Sequence, residues 1–343
     1  MKAAGIFDDA GRNRDDMSNL DFGKDNSVAL PSYRFLQLDV FTERAFTGNP
    51  LAVFPEAEGL TDELMQQIAR EMNLSETVFV LPPEDERALR RLRIFTPGKE
   101  LPMAGHPVVG TWNALAREGV VPLPEGGTGW TRILQEIGIG VLPVDIEFKE
   151  AEPVRVVMTQ GKFEILREVD EAEERALIAR GLGLAAEDMD ESLPIQVAST
   201  GVPILFVPVK GIDALASCRV NAGVLSEAGA RIGITEWYVF ARETLDEGTD
   251  SRAHARLFAP DIGIAEDPAT GGAAGPLGAY LIYHGALELE PVDGVFRFII
   301  EQGDFIHRPS RIGIEIKGER GSIDIVRVGG PSVVVAHGEL IVD

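Results

Sequence analysis

The chain has 343 residues, 45% of them hydrophobic, with one cysteine and a formal net charge of −23. That size fits about two globular domains, and no run approaches the ~18 apolar residues that a membrane-spanning helix needs. The acidic balance argues against a nucleic-acid partner, since phosphate backbones are met by basic surfaces.

Residues 1–32 are polar and show no sustained apolar period, so they read as a mobile extension outside the fold. No apolar segment follows Lys2, and the lone Cys218 excludes an internal disulfide, so the expected compartment is the reducing cytoplasm. A first domain is expected over 33–147. It opens with a strand in "YRFLQLDVF" and continues through "GNPLAVF". Thr61 can then cap a helix whose Leu64, Met65, Ile68, Ala69 and Met72 share one face. "SETVFVL" and "RLRIF" read as strands, as do "IGIGVLPVDIEF" and "PVRVVMTQ" further on.

A second domain is expected over 148–330. "DEAEERALIARGLG" is a short helix that stops at a glycine. Strands follow in "IQVASTGVPILFVPV", "TEWYVFAR", "HARLFAP", "FRFIIEQG", "RIGIEIKG" and "IDIVRVGG". The last strand, within 331–343, returns to the first domain. Many β segments and few helices, without βαβ alternation, predict an α+β fold of two mainly antiparallel sheets, each with a helix.

The two domains read as diverged copies. In "RIFTPGKELPMAGHPVVGTWNALAREG" and "RLFAPDIGIAEDPATGGAAGPLGAYLIYHG", Arg93, Phe95 and Pro97 fall on Arg256, Phe258 and Pro260. After a three-residue insertion, Gly105 falls on Gly271, Leu115 on Leu281 and Gly119 on Gly285. "GNPLAVFP" at Gly48 matches "GVPILFVP" at Gly201 in the same order.

Each copy carries a candidate anion site. Pro107 suits the first helical position, where its absent N–H costs nothing, with Val108, Trp112 and Leu115 as the buried stripe. Gly105 and His106 then lie where free N–H groups and the positive helix end favour a carboxylate. His106 is either a proton or hydrogen-bond donor to that ligand, or a histidine satisfied by nearby backbone. In "EDPATGGAAG", Gly271 and Gly272 offer the same cradle, and Asp267 either orients a histidine or accepts an amine, or simply forms an Asp-Pro turn. If the copies face one another, both helix mouths open on a single cleft. Glu76 stands where a helix gives way to a hydrophobic strand. A carboxyl there can have a raised pKa and act as acid or base, although solvated strand starts are the commoner case.

No Walker A pattern occurs, "IGIGV" has two of the three dinucleotide glycines, and no Cys/His spacing suggests zinc. No cofactor and no metal are indicated.

The ordered motifs "DVFTERAFTGNPLAVF", "NLSETVFV", "IFTPGKELPMAGHPVVGT", "GVLPVDI", "STGVPILFV", "RLFAPDIGIAEDPATGGAAG", "EQGDFIHRPSRI" and "VGGPSVVVAHGEL" resemble the PhzF-like family of phenazine-biosynthesis isomerases. That family shares the diaminopimelate epimerase fold, and the likeness covers residues 33–343. It implies two similar halves, each a sheet wrapped round a central helix, a site between them and a homodimer. It also implies that Glu76 of the "SET" motif moves a proton between carbons of a small cyclic amino acid, with Ser75 beside it among the substrate-binding residues. His106 and Asp267 would line the same pocket. Related epimerases place a cysteine at each helix mouth, where this chain has Ala104 and Thr270. Two departures from the family pattern stand out: Gly272 in place of a serine in "ATGSA", and His307 in place of a glycine before "RPS". The expected function is a cofactor-free isomerase resembling trans-2,3-dihydro-3-hydroxyanthranilate isomerase. Its rivals are an epimerase pairing Glu76 with His106 or Asp267, and a small-carboxylate-binding protein without chemistry.

Overall fold

The computed structural model of the protein describes residues 31–342. The extension expected over 1–32 lies outside the described residues except for Pro31 and Ser32, and Ser32 already begins the first strand.

The first half comprises β1 (Ser32–Val40), β2 (Asn49–Phe54), α1 (Asp62–Met72), β3 (Glu76–Leu81), β4 (Arg90–Phe95), β5 (Glu100–Leu101), α2 (Gly105–Arg117), β6 (Gly129–Ile137), β7 (Gly140–Lys149) and β8 (Glu152–Thr159). The second comprises β9 (Glu164–Glu168), α3 (Ala172–Leu182), β10 (Gln196–Ser199), β11 (Pro203–Pro208), α4 (Ile212–Ser217), α5 (Ala222–Ile232), β12 (Trp237–Ala241), β13 (Ser251–Ala259), β14 (Ile264–Asp267), α6 (Gly271–Tyr283), β15 (Val295–Gln302), β16 (Ser310–Glu319) and β17 (Ser322–Gly330). The final strand, β18 (Ser332–Ile341), pairs antiparallel with β1, as β9 does with β10.

Pairing repeats in the two halves. β1–β2, β3–β4, β6–β7 and β7–β8 are antiparallel, with β2–β3 and β4–β6 parallel. β10–β11, β12–β13 and β15–β16–β17 are antiparallel, with β11–β12 and β13–β15 parallel. The halves join where β8 meets β17. The division expected after residue 147 falls inside β7, and β8 beyond it packs on α2. The chain crosses between halves after β8, because that strand completes the wrap around the first central helix.

Strand alternation decides which side chains face inward. Val53, Val78 and Ile94 belong to the core around α2, whereas their neighbours Phe54, Phe79 and Phe95 point outward beneath α1. There Phe54 stacks on Phe79 with ring centroids 5.1 Å apart, and Met65, Ile68 and Ala69 of α1 cover them. Thr61 Oγ1 accepts the Leu64 N–H at 3.3 Å, which is the expected cap. In the second half Phe206, Tyr238 and Leu257 face inward, while Leu205, Val239 and Phe258 pack outward with residues of α3 and α5.

The central helices depart from the expected single stripe. Every residue of α2 from Gly105 to Ala116 is buried, and so is most of α6. A helix enclosed on all sides needs no polar face, and small residues let the surrounding sheet close on it.

His307 adopts φ 60°, ψ 27°, the left-handed region. This explains why a glycine suits the position: a side chain costs about 1–2 kcal/mol there. His307→Gly should therefore raise stability by up to ~1 kcal/mol once the flexibility of glycine in the unfolded chain is subtracted. Urea denaturation would check this, and a loss of stability would mean that His307 makes a compensating contact.

Candidate active site

Alternation places Glu76 on the inward face of β3, in line with Val78 and Val80 beneath α2. The first turn of α2 brings His106 to it, with Nε2 3.3 Å from Glu76 Oε2. The side chains are only 13% (Glu76) and 6% (His106) exposed. The angle makes no hydrogen bond, so both buried atoms are left without a hydrogen-bond partner.

Burial pushes the Glu76 carboxyl up to about 8, with the negative charges of Asp267 and Glu236 adding to the effect. Burial also drops the His106 imidazole to about 3. The contact is thus between a carboxylic acid and a neutral imidazole, and not an ion pair. Of the two roles expected for His106, hydrogen-bond donation fits this state and donation from an imidazolium does not.

Asp267 is the last residue of β14, buried and paired with Leu257, so it is more than the first half of an Asp-Pro turn. Its Oδ1 accepts from Asn49 Nδ2 at 3.0 Å and its Oδ2 accepts from Thr270 Oγ1. Gln302 Nε2 donates to its main-chain carbonyl at 2.7 Å. Burial lifts the carboxyl to about 6, and the bonds from Thr270 and Asn49 restrain that rise. A carboxylate pinned this way is oriented in advance of any ligand.

The helix mouths meet. A Cβ added at Gly105 would lie 3.1 Å from the Gly272 nitrogen and 3.3 Å from Gly271, so glycine permits this approach. Neither N-cap residue, Ala104 or Thr270, caps its helix with a side chain. Amides of the two first turns are therefore available to an anion. Within α6, Pro276 has no N–H to give to the carbonyl four residues back, that of Gly272.

Beside Gly272 a Cβ would meet nothing within 4 Å. The space for the serine of the family pattern is present, although the serine is not. Gly272→Ser should fold with an unchanged or slightly higher Tm, since serine favours helix over glycine by roughly 0.5 kcal/mol. A calorimetric scan showing a Tm lower by more than ~2 °C would show that the space is filled.

Glu76, His106 and Asp267 come together with Gly105, Gly271 and Gly272. Ser75 lies half-buried just before β3, and its hydroxyl makes no hydrogen bond to the others. Cys218 is buried at the end of α4, its thiol pushed up to about 11 chiefly by burial, and Ala104 and Thr270 occupy the helix mouths. Sequence reasoning missed Asn49, whose amide holds Asp267, and Glu236, whose carboxyl burial lifts to about 7.

The family model described as "phenazine biosynthesis-like protein" matches residues 38–338. An uncharacterized isomerase of Clostridium acetobutylicum is 38% identical over 92% of this chain and 100% of its own length. Trans-2,3-dihydro-3-hydroxyanthranilate isomerase of Pseudomonas fluorescens is 32% identical over 90% of this chain and 99% of that protein. The crystal structure of a PhzF-family phenazine biosynthesis protein from Bacillus anthracis superposes with a TM-score of 0.80 at 30% identity, covering 91% of this chain and all of the other. With two helix mouths meeting over a buried acid in a fold shared along the whole described chain, the protein belongs to the PhzF family of phenazine-biosynthesis-like proteins and is an isomerase.

Proposed function

We propose that the protein is a cofactor-independent isomerase that moves a proton on a small amino- or hydroxy-carboxylate, with Glu76 as the acid/base. The observation that carries this reading is the buried, unpartnered Glu76–His106 contact beside two uncapped helix mouths. The substrate carboxylate would accept from amides of the first turns at Gly105, His106, Gly271 and Gly272. Asp267, ionised at neutral pH and fixed by Asn49 and Thr270, would take an amino or hydroxyl group. Neutral His106 would donate a hydrogen bond to the polarised substrate, and Glu76 would exchange the proton with carbon. We further propose that it works as a homodimer.

The test uses trans-2,3-dihydro-3-hydroxyanthranilate, the substrate named for the Pseudomonas relative, in D2O with proton NMR detection. Deuterium on carbon together with double-bond movement is the expected result. Deuterium at a stereocentre without double-bond movement would mark an epimerase, and no exchange would exclude this compound as substrate.

A further inference from the structure

We infer that Glu236 is a second proton-carrying carboxyl of the active site, the counterpart of Glu76 in the other half of the chain. The inference rests on the reading of Glu76 as acid/base and extends it to a pair acting on opposite sides of the substrate.

Strand register identifies the counterpart. On β4, Phe95 lies opposite Thr77 and Arg93 opposite Phe79. On β13, Phe258 lies opposite Trp237 and Arg256 opposite Val239. Arg93 and Arg256 are the same device twice. Each sits about 5 Å over the phenylalanine two residues on, at 5.1 and 4.9 Å. Each also grips one glutamate through Nε and Nη2: Glu100 in β5 for Arg93, Glu266 in β14 for Arg256. Matching them places Thr77 on Trp237, and so Glu76 on Glu236. The parallel neighbours agree, since Ala52 lies beside Thr77 and Leu205 beside Trp237. These two residues hold the same place in "GNPLAVFP" and "GVPILFVP".

Alternation then sets the face. Tyr238 and Phe240 point into the core around α6, so Glu236, two residues before Tyr238, points to the same side. The Tyr238 hydroxyl donates to Gln302 Oε1 at 2.8 Å, and that oxygen also accepts the Thr270 N–H at the mouth of α6. Asp267 lies on this face too, through its pairing with Leu257. The electrostatics agree with this placement: Asp267 raises the Glu236 carboxyl and Glu236 raises that of Glu76. His106, more than nine-tenths buried, keeps Nε2 without a hydrogen bond beside Glu76, as a site awaiting a polar ligand does.

The Glu236 charge raises the Glu76 carboxyl, and two carboxyls coupled in this way titrate as a pair. One, as carboxylate, takes a proton from substrate carbon; the C–H bond breaks and its electron pair moves into the adjacent unsaturated system. The pair then forms a new C–H bond with the proton of the other carboxylic acid. The substrate composition is unchanged, and the two carboxyls exchange protonation states and reset through water.

The test has two arms. With trans-2,3-dihydro-3-hydroxyanthranilate, Glu236→Gln should lower kcat by at least ~100-fold with KM altered far less, and Glu236→Asp should recover part of the loss. Unchanged kcat overturns the inference; if Glu76→Gln also leaves kcat unchanged, the proposed function fails with it. Without substrate, carboxyl carbon-13 NMR should show Glu76 titrating at least ~0.5 pH lower in Glu236→Gln than in the wild type. An unmoved Glu76 titration overturns the inference even if the wild-type protein does not turn over this compound. Should Glu236→Gln not fold, Glu236→Asp is read in both arms, with a partial loss and a displaced Glu76 titration expected.

Discussion

Replacing Glu76 by Gln will lower turnover by at least ~100-fold, the low end for loss of a general acid/base. The substitution keeps size and hydrogen-bonding capacity, so it removes little besides the titrating group. Substrate affinity should change by less than ~10-fold, because the carboxylate is assigned to the amides of the two helix mouths and not to Glu76. His106→Asn should behave differently and weaken binding along with rate, since it removes the imidazole assigned to the substrate while keeping the first-turn amide of residue 106. Single-turnover kinetics and calorimetry on the two variants separate these patterns. Near-normal turnover of Glu76→Gln would remove the proposed mechanism and leave the family assignment standing.

The site was legible to the extent that local signals carried it. Gly105, His106 and Gly271 stand at helix starts, and Pro107 and the glycines announce those starts in the sequence. Asp267 was ambiguous because Asp-Pro is an ordinary turn; its burial depends on β13 and on Asn49, which is 218 residues away. Glu236 was read only as part of the strand "TEWYVFAR". Yet the repeat that matched Arg93 with Arg256 also aligns "SETVFV" with "TEWYVF" once strand register fixes the offset. A three-residue difference in the loop between strand and arginine hides that match from a simple overlay.

The fold was legible for the same reason. Period-two strands and the Thr61 cap are local, whereas the return of the last strand is fixed by its pairing with β1. The division expected near residue 147 falls inside β7, and β8 carries no mark in the sequence showing which helix it covers. That is settled by its pairing with β7 on one side and β17 on the other. The complete burial of α2 was also hidden. Only Val108, Trp112 and Leu115 were expected as its buried stripe, yet the polar Thr111 and Asn113 are enclosed as well.

The cluster also predicts how stability depends on pH. Glu76 is held at about 8 in the folded protein, against an ordinary value of 4.5. Between those values the folded state keeps a proton that the unfolded chain has lost. Stability then falls as pH rises, by about 1.4 kcal/mol per pH unit for one such group. The contribution is complete below about 4.5 and is gone once pH has passed through about 8. Glu236, raised to about 7, and Asp267, raised to about 6, act with the same sign. Their charges are among the causes of the Glu76 shift, so the three shifts do not simply add. Urea denaturation from pH 5 to pH 9 should therefore show a loss of several kcal/mol in the wild type, of the order set by the Glu76 shift. Glu76→Gln cannot ionise. It should flatten most of this slope and be more stable than the wild type at pH 9, while differing little from it at pH 5. A variant that retains the full slope would show that Glu76 is not the buried acid responsible, and its place at the centre of the site would have to be given up.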